Sequence, residues 1–418
     1  MQKRIRIAAG AAAVVVIAAV AGVVLYPPAN RAVVDTLSGD RLRETRQDIP
    51  DPTSSDHWAA DGTGSRGISV WDPIKAERGF TLYTSGERAV ARLITMNGSI
   101  AHEWSVAYSK LWKPEATAIE EPQPDSLVFM RQARLLPNGD LVAVLEAAGH
   151  VPAGYGVVKL DKESKPLWSY LQRAHAAVDV APDGRVFTLV QAIREDDEPP
   201  TALTTPFLED FLVVLSPDGK EASRLSLVEA LERSPFASLL GVVPDQRRDD
   251  PLGVTDLEYL PDGKVLLSFG AIGVVAEVDP AAGKVTRAVK GPWTHLRAAV
   301  PSGDELLVVD APVEDHARAQ RVKPETGEVT WRYTGKDDPT PFTGSGRAGV
   351  QHLANGNALL TEAETGRLFE VDADGTVVWE YTNPTRAGEA ADRIPIVASG
   401  ERIPAEALDP AFRGFRRP

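Results

Sequence analysis

A pair of tight turns, repeated along most of the chain, constrains the fold more than any other feature. One turn reads Pro-Asn/Asp/Ser-Gly: Pro137-Asn138-Gly139, Pro182-Asp183-Gly184, Pro261-Asp262-Gly263 and Pro301-Ser302-Gly303, with Ala354-Asn355-Gly356 as a fifth. Each lies between β-rich runs, as Leu141-Val142-Ala143-Val144-Leu145 follows the first. Proline presets φ at the start of such a turn, and glycine supplies the positive φ that a tight hairpin needs. The second turn follows each hairpin: Asn97-Gly98, Asp161 to Ser164, Pro217-Asp218-Gly219, Pro280 to Gly283, Pro324 to Gly327 and Asp374-Gly375. Several of these lead into a strand with a tryptophan, namely Trp104, Trp168, Trp331 and Trp379. Six such units of about four strands fit between Gly79 and Asn383. A β-sandwich also has short strands, but not self-similar units. The expectation is an all-β, six-bladed β-propeller over residues 67–384, with the tryptophans packed between blades.

Two insertions interrupt the repeat, Lys110 to Ser126 and Arg194 to Gly253, the second with a helical stretch over Ser226 to Leu240. Residues 385–418 form a tail that packs on the propeller or trails from it. At the other end, Ile7 to Tyr26 is an unbroken apolar run preceded by Lys3, Arg4 and Arg6. Its length suits a membrane-spanning helix, and the basic stub 1–6 places the N-terminus in the cytoplasm. A signal peptide cut near Ala19-Val20-Ala21 is the alternative. On the anchor reading this is a single-pass membrane protein with its bulk on the extracytoplasmic side. Residues 27–66, poor in apolar periodicity, read as a linker without chemistry of its own.

With no cysteine in 418 residues, thiol nucleophiles, cysteine-ligated zinc and disulfides are excluded. A net charge of −14 argues against nucleic acid as a partner. Phosphate-loop, zincin, serine-hydrolase and kinase signatures are absent, and no metal or cofactor is expected. Of the seven histidines, His57 and His150 read as solvated, and His102, His316 and His352 as strand or surface residues. His175 and His295 stand apart through the repeat. Six residues before Pro301 is His295, and six before Pro182 is Ala176, beside His175. The same count reaches Arg131, Thr255 and Ala348, the last beside Arg347. The first strand of each blade lines a propeller's channel, so Arg131, His175, His295 and Arg347 are expected to ring one mouth. Such a ring suits an anion, because guanidinium and imidazole donors match sulfate or phosphate oxygens.

The succession of turns, Asp374-Gly375-Thr376-Val377-Val378-Trp379-Glu380-Tyr381 and Gly291-Pro292-Trp293-Thr294-His295 resemble the bacterial arylsulfotransferase-like propeller family. So do Tyr155 to Asp161 and Asn355 to Glu362. The resemblance spans roughly 67–384. It implies sulfuryl transfer from an aryl sulfate to a phenolic acceptor through a histidine nucleophile, a place held here by His295. On that reading His175 assists, and Arg131, Arg297 and Arg347 bind the anion. The chain departs from the family twice: Gly253 follows Asp250-Pro251-Leu252 where the family has histidine, and Gly270 follows Ser268-Phe269 where it has arginine. Losing one preorganised donor typically costs ~10²–10³ in rate. The alternative is therefore a non-catalytic propeller serving as a binding or scaffold module in the cell envelope.

Overall fold

A computed structural model describes residues 42–195, 203–244, 247–312, 316–336, 341–343 and 347–414. Six antiparallel sheets stand in a ring, each built from four consecutive up-and-down strands or their equivalent. The second blade is Val128–Leu135, Leu141–Ala147, Gly154–Leu160 and Pro166–Tyr170. Its second strand is buried at every residue, whereas its outermost strand is largely exposed. The inner strands of a blade lie between two neighbouring blades, so they are apolar on both faces rather than alternating.

The expected six-bladed propeller is what the chain forms, but its ring closes differently. The first blade takes its inner strand, Val397–Ile403, from the far end of the chain, paired with Phe80–Ser85. Residues 385–418 are thus not a mere tail: their strand joins first blade to last. The supposed linker is also corrected. Gly67–Trp71 adds a fifth strand to the sixth blade, Trp58–Ala60 pairs with Arg393–Pro395, and Thr45–Arg46 pairs with His150–Val151. Leu42 is buried with Val151 and Leu208. Residues 7–26 lie outside the described residues, among which no helix is long and apolar enough to cross a membrane.

The tryptophans act as expected. Trp104 in the first blade donates its indole N–H to Gly139 O in the second (3.0 Å), and Trp168 in the second does so to Pro217 O in the third (3.0 Å). Trp331 reaches Ala373 O (3.1 Å), and Trp379 closes the ring on Met96 O (2.9 Å). Each indole thus caps a turn carbonyl of the next blade. The longer insertion holds a short helix, Leu227–Glu232, started by a Ser226 side-chain cap, and a 3-10 turn, Ala237–Val242. One continuous helix over Ser226 to Leu240 does not form; Pro235 falls between the two pieces.

Candidate functional site

The channel is shaped by a repeated irregularity. In five blades the inner strand slips register near its start: around Ala398, Arg131, Ala176-Ala177, Thr255 and Arg297. A bulge leaves a residue out of the ladder and re-aims its side chain. Five of these residues, Ala398, Arg131, Ala176, Thr255 and Arg297, line one cavity of about 940 Å³ running down the channel, and Ala348 completes the ring. The cavity extends past Pro137, Pro182, Pro261 and Pro301 at the hairpin end.

This register corrects the count that singled out His295. Pro137 lies within its turn, beyond the Leu135–Leu141 pair, but Pro301 is still in the ladder, opposite Leu306. The Pro301 hairpin, in the fifth blade, turns two residues later than its proline suggests. The true counterpart of Arg131 is therefore Arg297. A sequence signal existed: Glu305 stands where the other hairpins have Leu141, Val186 or Val265. The second and fifth blades are three apart in a ring of six, so Arg131 and Arg297 reach the channel from opposite sides.

The other predicted residues sit at the strand-entry rim and do not line the cavity. His175 is buried, with Nε2 2.9 Å from Asp210 Oδ1. Burial alone would depress its pKa, but the Asp210 hydrogen bond and charge outweigh burial and raise it. Arg347 donates to Asp56 Oδ2 (2.8 Å), a residue of the supposed linker, and lies over the Phe129 ring. His295 donates its backbone N–H to Asp310 Oδ1 (2.8 Å), and that carboxylate also holds Arg318 (2.7 Å). Burial and the nearby Arg297 and Arg247 push the His295 imidazole down to about 4, so it is neutral at pH 7. Of the four residues read from the sequence as a cationic ring, His175 and Arg347 are thus held by carboxylates and His295 is neutral. His57 and His150, expected in solvent, are both buried, His57 against Phe129 and His150 against Tyr155.

At Gly270, where the resemblance implies an arginine, the backbone leaves no room for a side chain, and at Gly253, where it implies a histidine, a Cβ would meet Ala271 Cβ at 3.2 Å. A Cβ on Gly270 would lie 2.8 Å from Leu296 O and 3.0 Å from Gly253 O, and Gly253 itself has φ +52. The backbone here is drawn together, with Gly270 N–H donating to Gly253 O (3.0 Å).

Arg131 differs from its neighbours at the rim. Its Nη1 donates to the Ala398 carbonyl (2.6 Å) rather than to a carboxylate, and burial depresses its pKa. Deeper along the channel lies a belt that the sequence reading missed. Arg134 Nε is 3.1 Å from Asp179, Nη2 is 3.3 Å from Glu258, and Nη1 is 3.7 Å from Glu401. Its signal was a charged residue three positions before the turn proline, as Arg134, Asp179 and Glu258 show. Burial, with Asp179 and Asp256 nearby, pushes Glu258 up to about 8, and burial lifts Asp256 to about 6. Burial and Asp210 raise Asp250, near the rim, to about 7.

These raised values give a pH prediction. The folded chain keeps protons on Glu258 and Asp250 that an unfolded chain releases near pH ~4, so stability falls as pH rises through about 7 and about 8. His175 acts in the same sense: its contribution is full below its unfolded pKa near ~6.5 and is lost as pH passes its raised folded value. His57 and His295, both depressed to about 4, change charge only on the acid side of that window. The thermal midpoint is expected to drop from about pH 6.5 to about pH 9, and Glu258→Gln to flatten the slope, each proton carrying about 1.4 kcal/mol per pH unit. A midpoint that rises across that range contradicts this assignment.

No family model matches the sequence, and no curated protein matches it. Among solved structures the chain is similar to a protein of unknown function from Bacteroides caccae, with 13% identity and a TM-score of 0.49 over 77% of this chain and 97% of that one. It is also similar to virginiamycin B lyase from Staphylococcus aureus, with 14% identity and a TM-score of 0.44 over 86% and 99%. A streptogramin B lyase gives 15% and 0.44 over 82% and 87%. None of the three is named as an arylsulfotransferase.

Proposed function

We propose that this chain is an exported propeller, held to the membrane by residues 7–26, that binds an anionic small molecule in its channel and transfers no sulfuryl group. One observation carries the reading: Arg131 and Arg297 occupy the same bulge in opposite blades and flank one cavity. The desolvated Arg131 guanidinium, which donates to the Ala398 carbonyl, suits a bound anion, because a charge-assisted bond forms there without competing water. Against group transfer stand three facts of the site. The candidate nucleophile His295 does not line the cavity, His175 and Arg347 are held by Asp210 and Asp56, and Gly253 and Gly270 provide no donor. The bulk of the protein then works outside the cytoplasm as a binding module of the cell envelope.

A second reading, sulfuryl transfer as in the arylsulfotransferase-like family, is favoured by one specific feature. His295 is neutral and next to two arginines, which is the state a nitrogen nucleophile for an anionic group requires. The two readings separate in one assay on the full chain in detergent. With 4-nitrophenyl sulfate and a phenol acceptor, the expected result is no phenol release above buffer, together with saturable binding of the unreactive benzoate. Turnover that disappears in His295→Ala overturns the binding-module reading.

A further inference from the structure

The channel carries two zones of opposite charge at different depths, and together they define the ligand more narrowly. The first is the arginine pair. From the bulge at Arg131 it is three residues along the same strand to Arg134, and the belt of Asp179, Glu258 and Glu401 surrounds that guanidinium. At ~3.3 Å per residue the zones lie on the order of 10 Å apart.

The belt is short of cations. Arg134 is one positive group among the carboxyl groups of Asp179, Glu258 and Glu401, a crowding in which Glu258 keeps its proton until a further cation joins it, and Asp256 lines the same cavity one residue beyond its own bulge. Glu401 Oε2 is enclosed and accepts no hydrogen bond, its nearest guanidinium nitrogen being 3.7 Å away. A donor is missing there. Between the zones the wall carries Asp256, within reach of the charges of both Arg131 and Arg134, and is otherwise uncharged. Gln132 accepts the Val178 N–H through Oε1 (2.7 Å), which leaves its amide nitrogen for a ligand, and Thr255, Thr361 and Ser399 add hydroxyls. Among the described residues Tyr259 is the one phenyl-type ring lining the cavity, so little there awaits an aryl group. A volume of about 940 Å³ is ample for a solute of several residues.

We infer that the channel's ligand is zwitterionic, a short peptide with free termini, its carboxylate between Arg131 and Arg297 and its ammonium at the belt of Asp179, Glu258 and Glu401. An extended tripeptide separates its terminal charges by roughly 10 Å, at ~3.3–3.6 Å per residue, and its amides suit the intervening wall. This rests on the proposal that the channel is an anion site, and it adds the second charge and the spacing.

Isothermal titration of the full chain in detergent with triglycine, N-acetyl-triglycine, triglycine amide, diglycine and pentaglycine tests it. Triglycine is expected to bind best, with acetylation and amidation each weakening it at least tenfold. Arg131→Gln should abolish the penalty for amidation and Glu258→Gln the penalty for acetylation, with unchanged circular dichroism showing that both variants fold. If benzoate binds but triglycine does not, or N-acetyl-triglycine binds as well as triglycine, the zwitterion is wrong and the anion site stands. If neither benzoate nor any peptide binds, both fall. Binding of triglycine that ignores both substitutions also overturns the assignment.

Discussion

Replacing Glu370 with alanine should destabilise the propeller by about 3–5 kcal/mol, the cost of leaving a buried charge without its partner. Glu370 lies in the third strand of the sixth blade, and Arg402 lies in the closing strand of the first; both side chains are fully buried. Arg402 Nη1 is 3.2 Å from Glu370 Oε2, its Nε donates to Thr81 Oγ1 (2.9 Å), and its guanidinium lies 4.6 Å from the Trp379 ring centre. The other carboxylate oxygen accepts from Glu77 N (2.7 Å) and Asn357 Nδ2 (2.8 Å). One carboxylate thus joins the last blade to the strand that closes the ring. With no disulfide available, this joint and the Trp379 bond to Met96 hold the ends together. Urea unfolding should show a lower midpoint in Glu370→Ala, while Lys323→Ala, which breaks an exposed pair with Glu328, leaves it in place. Equal midpoints for Glu370→Ala and the wild type would falsify the role given to this joint.

The second large effect concerns binding. Arg131→Ala with Arg297→Ala should reduce benzoate affinity by roughly 10²–10⁴, since a charge-assisted bond contributes about 1.5–3 kcal/mol and two are lost. Each single variant should lose about the square root of that factor, because the two side chains enter from opposite blades. His175→Ala and Arg347→Ala should change affinity little, since both lie outside the cavity lining. If the two rim variants lose as much affinity as the pair at the bulges, the anion sits at the rim instead. Titration calorimetry at one ionic strength decides between these outcomes.

Most of the blade architecture was legible in the sequence, for a local reason. Gly139, Gly184, Gly263 and Gly356 all take positive φ, between 85 and 91°, and each closes a hairpin that any reader of Pro-Asn-Gly can place. The tryptophans were legible too, because a large half-polar ring repeated at one place in a blade needs a buried partner. What stayed hidden depends on partners far along the chain. Val397–Ile403 carries no turn of its own and pairs with a strand more than three hundred residues earlier, so no local pattern marks it. Asp56 and Glu44 sit in an apparently featureless segment, and their roles come chiefly from distant blades, where Asp56 meets Arg347 and Glu44 meets Arg173 and His150.

The candidate site was legible in composition and misplaced in register. Arg131 and Arg297 are both where the channel needs them, but the turn proline at 301 pointed to His295, two residues away. A hairpin's register follows its ladder and not its proline, and a slip of two keeps the same face while changing depth. The acidic belt was missed because Glu401 comes from the unmarked closing strand. Without it the charges at Arg134, Asp179 and Glu258 read as ordinary strand residues.

The most direct measurement is a crystal of the protein soaked with 4-iodobenzoate, with the anomalous signal locating iodine and the difference map locating the carboxylate. The account predicts a carboxylate in the channel between Arg131 and Arg297, with the ring directed toward the hairpin end. A carboxylate bound instead at the strand-entry rim, beside His175 and His295, would contradict it.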